Sequence, residues 1–126
     1  MGGIRVGVDT RSKLVSVEAA SRLLGPLVLV AGWFDVLRAA DARELEQAGR
    51  PLLVVVLPHA DETLAAAARA EMVAAIRVVD YVVTADHDAL EGLIERLQPA
   101  TVARLEAVHA DRARRLMEDV QRSQTR

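Results

Sequence analysis

The residues best placed to do chemistry are Gly32, Trp33, Phe34 and Asp35, which close a run of buried-strand character, Leu27 to Ala31, and precede a helix start. A glycine at the end of a buried strand lets the backbone turn tightly and approach a ligand. The helix N-terminus beyond it offers unpaired N–H groups and the positive end of a dipole to phosphate. A plain strand-to-helix connection needs the same glycine. Trp33 and Phe34 are two of the three aromatic residues, the third being Tyr81. Packing competes there with a ligand platform, and packing is the expectation, because aromatic rings carry large buried area.

The histidines form a second constellation. His59, His87 and His109 are each expected just beyond the carboxyl end of a strand, the edge at which open parallel sheets bind ligands. Asp35, Asp86, Asp88 and Asp111 are expected on the same rim. Three imidazoles and a carboxylate are the donor set of a hydrolytic divalent-metal site. Loop polar residues also gather at such a rim for no chemical reason, and no His-x-x-x-His spacing supports coordination. No metal site is therefore assigned, and each histidine is read as a solvated loop residue or a helix cap. Asp86 or Asp88 caps the helix that follows. The serines lie outside any strand-to-helix elbow, so no catalytic residue is assigned either.

The elements that must position these residues follow from periodicity. Leu27 to Ala31 and Leu52 to Leu57 are short, β-branched-rich runs bounded by glycine or proline, suited to strands buried on both faces. Tyr81 to Val83 is a third strand. Val102 to Leu105 is either a fourth or the start of one long helix beginning near Pro99, since residues 101 to 121 contain no proline or glycine. Leu64, Ala68, Met72, Ala75, Ile76 and Val79 recur at helical spacing, as do Leu90, Leu93, Ile94 and Leu97. A last helix spans about His109 to Gln121, with Ala113, Leu116, Met117 and Val120 on one face and a solvated charged face opposite. Ile4, Val6 and Val8 alternate as a short edge strand, and Ser16 opens a short helix ending before Gly25-Pro26. Strands alternating with helices give an α/β fold: one doubly wound, Rossmann-like domain over residues 1–126, with a mainly parallel sheet of four to five strands flanked by helices.

Composition narrows the function classes. The formal charge of -2 is mixed along the chain, and the Arg112, Arg114 and Arg115 cluster is offset by Asp111, Glu118 and Asp119, so nucleic acid is not an expected partner. No stretch approaches the roughly 20 apolar residues needed to span a bilayer, and the N-terminal residues lack a secretory pattern. No membrane association and a cytoplasmic location are expected. Without cysteine the chain has no disulfide, thiolate metal site or thiol nucleophile.

Three blocks give the chain a likeness to known proteins. They are Val28 to Asp35 ending in Gly32-Trp33-Phe34-Asp35, Arg69 to Val83 ending in Val79-Asp80-Tyr81-Val82-Val83, and the helix Leu90 to Leu97 closing at Pro99. In this order the chain resembles the cytidylyltransferase-like nucleotidyltransferases, among them glycerol-phosphate cytidylyltransferase and the heptose-phosphate adenylyltransferase domain. In that family Gly-x-Phe-Asp leads to His-x-Gly-His, whose imidazoles bind the triphosphate and stabilise the transition state. The matching positions here are Arg38, Ala39, Ala40 and Asp41. Asp41 sets a carboxylate where a donor is required, and Ala40 adds a methyl group where nucleotide packs closely. The family's longer segment before Arg69, with its lysine, is reduced to His59 to Ala68, and its Ile-Ser-Thr-Thr-like helix start has no counterpart in Glu106 to Ala113.

The resemblance implies a catalytically degenerate nucleotidyltransferase-like protein acting as a binding or assembly module. The residues that would retain a nucleotide or phosphate are Gly32, Trp33, Phe34, Asp35, Arg38 and Asp41, with ATP or CTP and magnesium as the implied ligand. The alternative is an active adenylyl or cytidylyl transferase acting on a phosphorylated sugar or alcohol, with Arg38 and a metal in place of the histidines. A homodimer, or a complex with an active relative, is expected from the alanine-rich face Ala65 to Ala68 and the N-terminal strand.

Overall fold

The computed structural model describes residues 10–35, 39–59 and 64–124. The expected N-terminal strand and Arg38 lie outside them. After a 3-10 turn at Thr10–Lys13, the elements are α1 (Val17–Ala20), β1 (Val28–Gly32), α2 (Ala39–Ala48), β2 (Leu52–Val56), α3 (Ala66–Ala74), β3 (Tyr81–Thr84), α4 (His87–Leu97), β4 (Thr101–Arg104) and α5 (Glu106–Gln124). The four strands form a parallel sheet in the order β3-β2-β1-β4. Val28 pairs with Leu52 and with Thr101, and Leu53 pairs with Tyr81. The fold is thus α/β and Rossmann-like, as the alternating pattern requires.

The sheet forms because β1 and β2 have no polar face to turn toward water: every residue of both strands is buried. Successive side chains point to opposite faces, so two cores result. Val28, Val30, Val54, Val56 and Val82 pack with Leu45 of α2 and Ala70, Val73 and Ala74 of α3. Leu29, Ala31, Leu53, Val55 and Val83 pack with Ala20 of α1 and Leu90 and Leu93 of α4. Each such valine or leucine contributes roughly 1.5–3 kcal/mol when fully buried, so the two central strands dominate the stability of the layers.

Local signals fix the ends. Ser16 Oγ accepts from Ala19 N at 3.0 Å, and Asp86 Oδ1 accepts from Ala89 N at 2.7 Å, so the expected caps of α1 and α4 are in place. The Asp80 carboxylate ties the beginnings of two strands together. It accepts from Leu52 N at 2.8 Å and meets Arg50 Nη2 at 2.6 Å, and this arginine holds its carboxyl below the ordinary carboxylate range.

The fourth strand is present rather than one long helix, and three other expectations change. Residues 101–104 are a strand, because only pairing satisfies the outer edge of β1; Ala100 N donates to Leu27 O at 2.8 Å and Leu105 N to Ala31 O at 2.7 Å. The last helix accordingly starts at Glu106 rather than His109 and runs to Gln124. The buried face of α3 is Arg69, Ala70, Val73 and Ala74, while Leu64 and Met72 are exposed. The apolar stripe missed this face because its anchor is an arginine. The apolar residues of α5 differ too: Leu116, Met117 and Val120 are exposed, since the helix extends beyond the short strands.

Candidate functional site

β1 and β4 are neighbours in the sheet, yet one opens and the other closes the succession of strands, so the chain reverses its winding direction between them. In doubly wound sheets the crevice at the carboxyl ends of such strands is the usual ligand site. Here the loop after β1, Gly32 to Asp35, meets the first turns of α5 at that crevice.

The imidazole of His109, on α5, fills it. Trp33 N and Phe34 N both donate to His109 Nδ1, at 3.0 and 3.1 Å. A ring nitrogen that accepts two N–H groups carries no proton, so the hydrogen resides on Nε2. The side chain is buried and stands edge-on to Phe34, with centroids 4.7 Å apart. Gly32 permits this approach: a Cβ there would lie 2.5 Å from His109 Cε1 and 2.7 Å from Nδ1. Phe34 adopts φ 54°, a left-handed conformation that costs a residue with a Cβ about 1–3 kcal/mol. Burial of its ring in the core beneath and the bond to His109 offset that cost.

A second lock comes from Arg69, buried completely on α3. Its Nη1 donates to Trp33 O at 2.5 Å and to Leu57 O at 2.9 Å, and its Nε donates to Leu64 O at 3.0 Å. One guanidinium thus joins three segments that diverge from the sheet, which its rigid fork of donors suits. Its Nε also lies 3.8 Å from Asp35 Oδ1, so the buried cation has a counter-charge. The other carboxylate oxygen, Asp35 Oδ2, is 2.5 Å from His59 Nε2. The His59 ring stacks on the Trp33 indole with centroids 4.0 Å apart and planes 14° from parallel. Asp35 Oδ1 accepts no hydrogen bond among the described residues.

The crevice therefore brings together Gly32, Trp33, Phe34 and Asp35 of the expected set. Asp41 is buried in the first turn of α2. His59 and His109 are not the solvated residues expected of them: both are almost fully enclosed, His59 against Trp33 and Asp35, His109 against the loop amides. His87 is exposed at the start of α4. Among the described residues no three imidazoles or carboxylates gather in a metal-holding group.

The chemistry on offer follows from this inventory. A phosphate at a strand-to-helix turn is held by backbone N–H groups and cations. Here the amides of Trp33 and Phe34 are committed to His109, and the guanidinium of Arg69 to three carbonyls. Asp35 in the same loop and Asp41 in the first turn of α2 are carboxylates, not donors. Arg69 is the functional residue that periodicity missed, and its signal was positional: it lies on the same helical face as Ala66, Ala70 and Val73.

No family model matches the chain, and no curated protein matches it. Among solved structures it is similar to a lipopolysaccharide core biosynthesis protein from Thermoplasma volcanium. That likeness has a TM-score of 0.55 at 18% identity and covers 61% of this chain and 71% of that one. At that identity it is a likeness of fold.

Proposed function

We propose that this chain is a catalytically degenerate, nucleotidyltransferase-like protein that works as a binding or assembly module. The observation that carries the reading is the engagement of Trp33 N and Phe34 N by His109 Nδ1. Nucleotidyl transfer develops negative charge on the phosphates, and donors or a metal must be aimed at it. The loop amides that would serve are occupied, the nearest buried cation is spent on carbonyls, and Asp35 and Asp41 add negative charge. ATP or CTP with magnesium fits such a donor set poorly. The loop acts instead as a rigid bracket joining β1, β2, α3 and α5, and the surfaces it holds in place do the binding.

Thermal-shift titration with ATP and CTP, each with and without magnesium, tests this. A ligand that binds the folded state raises the melting temperature with occupancy. The expected outcome is no saturable shift at millimolar nucleotide. A saturable shift with one nucleotide, together with pyrophosphate release that Arg38→Ala abolishes, would instead establish the active-transferase alternative.

A further inference from the structure

Helix α5 is held to the body of the protein through one titratable side chain. Among the described residues of this 19-residue helix, His109 alone is buried, while Val108, Leu116, Met117 and Val120 are exposed. The leucines that seat α4 on the sheet, Leu90 and Leu93, have no equivalent on α5, and no described α5 residue belongs to either core. What fastens the helix is the imidazole. Its Nδ1 accepts from Trp33 N at 3.0 Å and from Phe34 N at 3.1 Å, and the ring fills the space above Gly32. This pattern demands one protonation state, because an imidazolium carries N–H on both nitrogens and has no lone pair to offer. Turning the ring over does not restore one, since that sets Cδ2–H against the same amides.

We propose that His109 is a proton-operated latch, which releases α5 from the crevice when the imidazole takes up a proton and seats it again when the proton leaves. The docked ring has no proton on Nδ1, whereas the ring of a released helix lies in water, where histidine protonates near about pH 6.5. The released form therefore binds protons more readily. By linkage, docking is complete above about pH 6.5 and weakens as pH falls below it, by up to about ten-fold per pH unit for a single proton. The surrounding charges set the pH of release and not its sign. On α5 these are Glu106, a turn before His109 and with Oε1 buried, and, following in sequence, Asp111, which binds Arg114 and Arg115, and Arg112. The loop after β1 brings Asp35, engaged by His59 and 3.8 Å from the Arg69 guanidinium on α3. Buried Asp41 stands in the first turn of α2, and Arg104 of β4 binds Glu91 of α4. Asp35 and Asp41 make a docked imidazolium less unfavourable and so lower the pH of release, Arg69 and Arg104 act in the opposite direction, and the groups on α5 travel with the helix and act on both states. None of them returns a lone pair to Nδ1. The sheet stands without the latch, because its four strands are joined by their own ladders. Release frees the two loop amides and uncovers the edge of Phe34. The latch is independent of what the molecule binds.

Amide hydrogen exchange on the full chain, expressed as protection relative to an unstructured chain and followed by NMR from about pH 7.5 to about pH 5 with the imidazole nitrogen resonances, tests this. His109 Nδ1 should carry no proton at the upper end. Protection of the Trp33 and Phe34 amides and of the first turns of α5 should fall together by about ten-fold or more, with the same midpoint as protonation of His109, while Val54 and Val55 of β2 keep theirs. His109→Gln offers a carbonyl acceptor that gains no proton, and it should lose the pH dependence, whereas His59→Gln and His87→Gln should retain it. Should His109→Gln fail to fold, the shared midpoint in the unmodified chain decides. Amides of Trp33 and Phe34 that stay protected beside a protonated His109 would overturn the latch. So would a transition that disappears in His59→Gln, or one in which β2 loses protection in step with α5, which is unfolding of the whole chain rather than release of one helix.

Discussion

Gly32 and His109 approach each other so closely that a single added carbon at residue 32 would lie 2.5 Å from the imidazole. Strand β1 and helix α5 are 76 residues apart in sequence at the Trp33–His109 bond, and this contact is where they are fastened. The glycine that suggested an approach by ligand admits the close approach of the chain's own histidine.

Gly32→Ala should therefore destabilise the fold although the added group is small. The imidazole must move and both amide bonds weaken, so a loss of about 1–3 kcal/mol is expected from overpacking alone. Chemical denaturation against the wild type measures it. Gly92→Ala is the matched control: a Cβ there meets nothing within 4 Å, and the substitution should stabilise α4 by about 0.5–1 kcal/mol. Equal effects from the two would show that crowding at residue 32 is not what the glycine relieves.

His109→Ala leaves Trp33 N and Phe34 N without their acceptor and should cost about 1–3 kcal/mol. Hydrogen exchange gives the sharper readout, since protection of these two amides should collapse while that of β2 is reduced only by the global loss. If both amides stay protected, the imidazole is not their principal acceptor.

Arg69→Met keeps the volume of the side chain but removes the donors to Trp33 O, Leu57 O and Leu64 O, and it leaves Asp35 without its buried counter-charge. Breaking one side of a buried ionic arrangement costs about 3–5 kcal/mol. Adding Asp35→Asn should recover part of that loss. Strict additivity in the double-mutant cycle would mean that the two groups do not interact across their 3.8 Å.

Acid should weaken the protein through Asp80. The Arg50 hydrogen bond, helped by Leu52 N–H, holds this carboxyl below its unfolded-state value near 3.9, so the unfolded chain takes up the proton first. The stabilisation is fully present above about pH 4 and is lost as pH falls through the lower folded-state value. Asp80→Asn should flatten the stability profile below about pH 4 while costing about 1–3 kcal/mol at neutral pH through the weakened bond to Leu52 N. An unchanged acid limb would assign the acid sensitivity to other carboxylates.

The sequence by itself determined the sheet. Leu29 to Ala31 and Leu52 to Val56 offer no polar face, so they had to lie in the middle of a parallel sheet, and the helices between them had to cover it. It also determined the caps at Ser16 and Asp86, whose interactions span three residues and need no distant partner. Tertiary structure decided everything that depends on a partner far along the chain. Residues 101–104 carry no local reason to prefer strand over helix, and the open edge of β1 chose. Arg69 counts as polar in any periodicity, yet it is completely buried because three carbonyls, one from the loop after β1 and two from the connection between β2 and α3, converge on it. His59 and His109 have no local motif, and their enclosure depends on Trp33, Asp35 and the loop amides arriving from β1. Apolar periodicity records how much surface a segment must hide. Which donors and acceptors meet across the crevice is set only when the strands have been ordered.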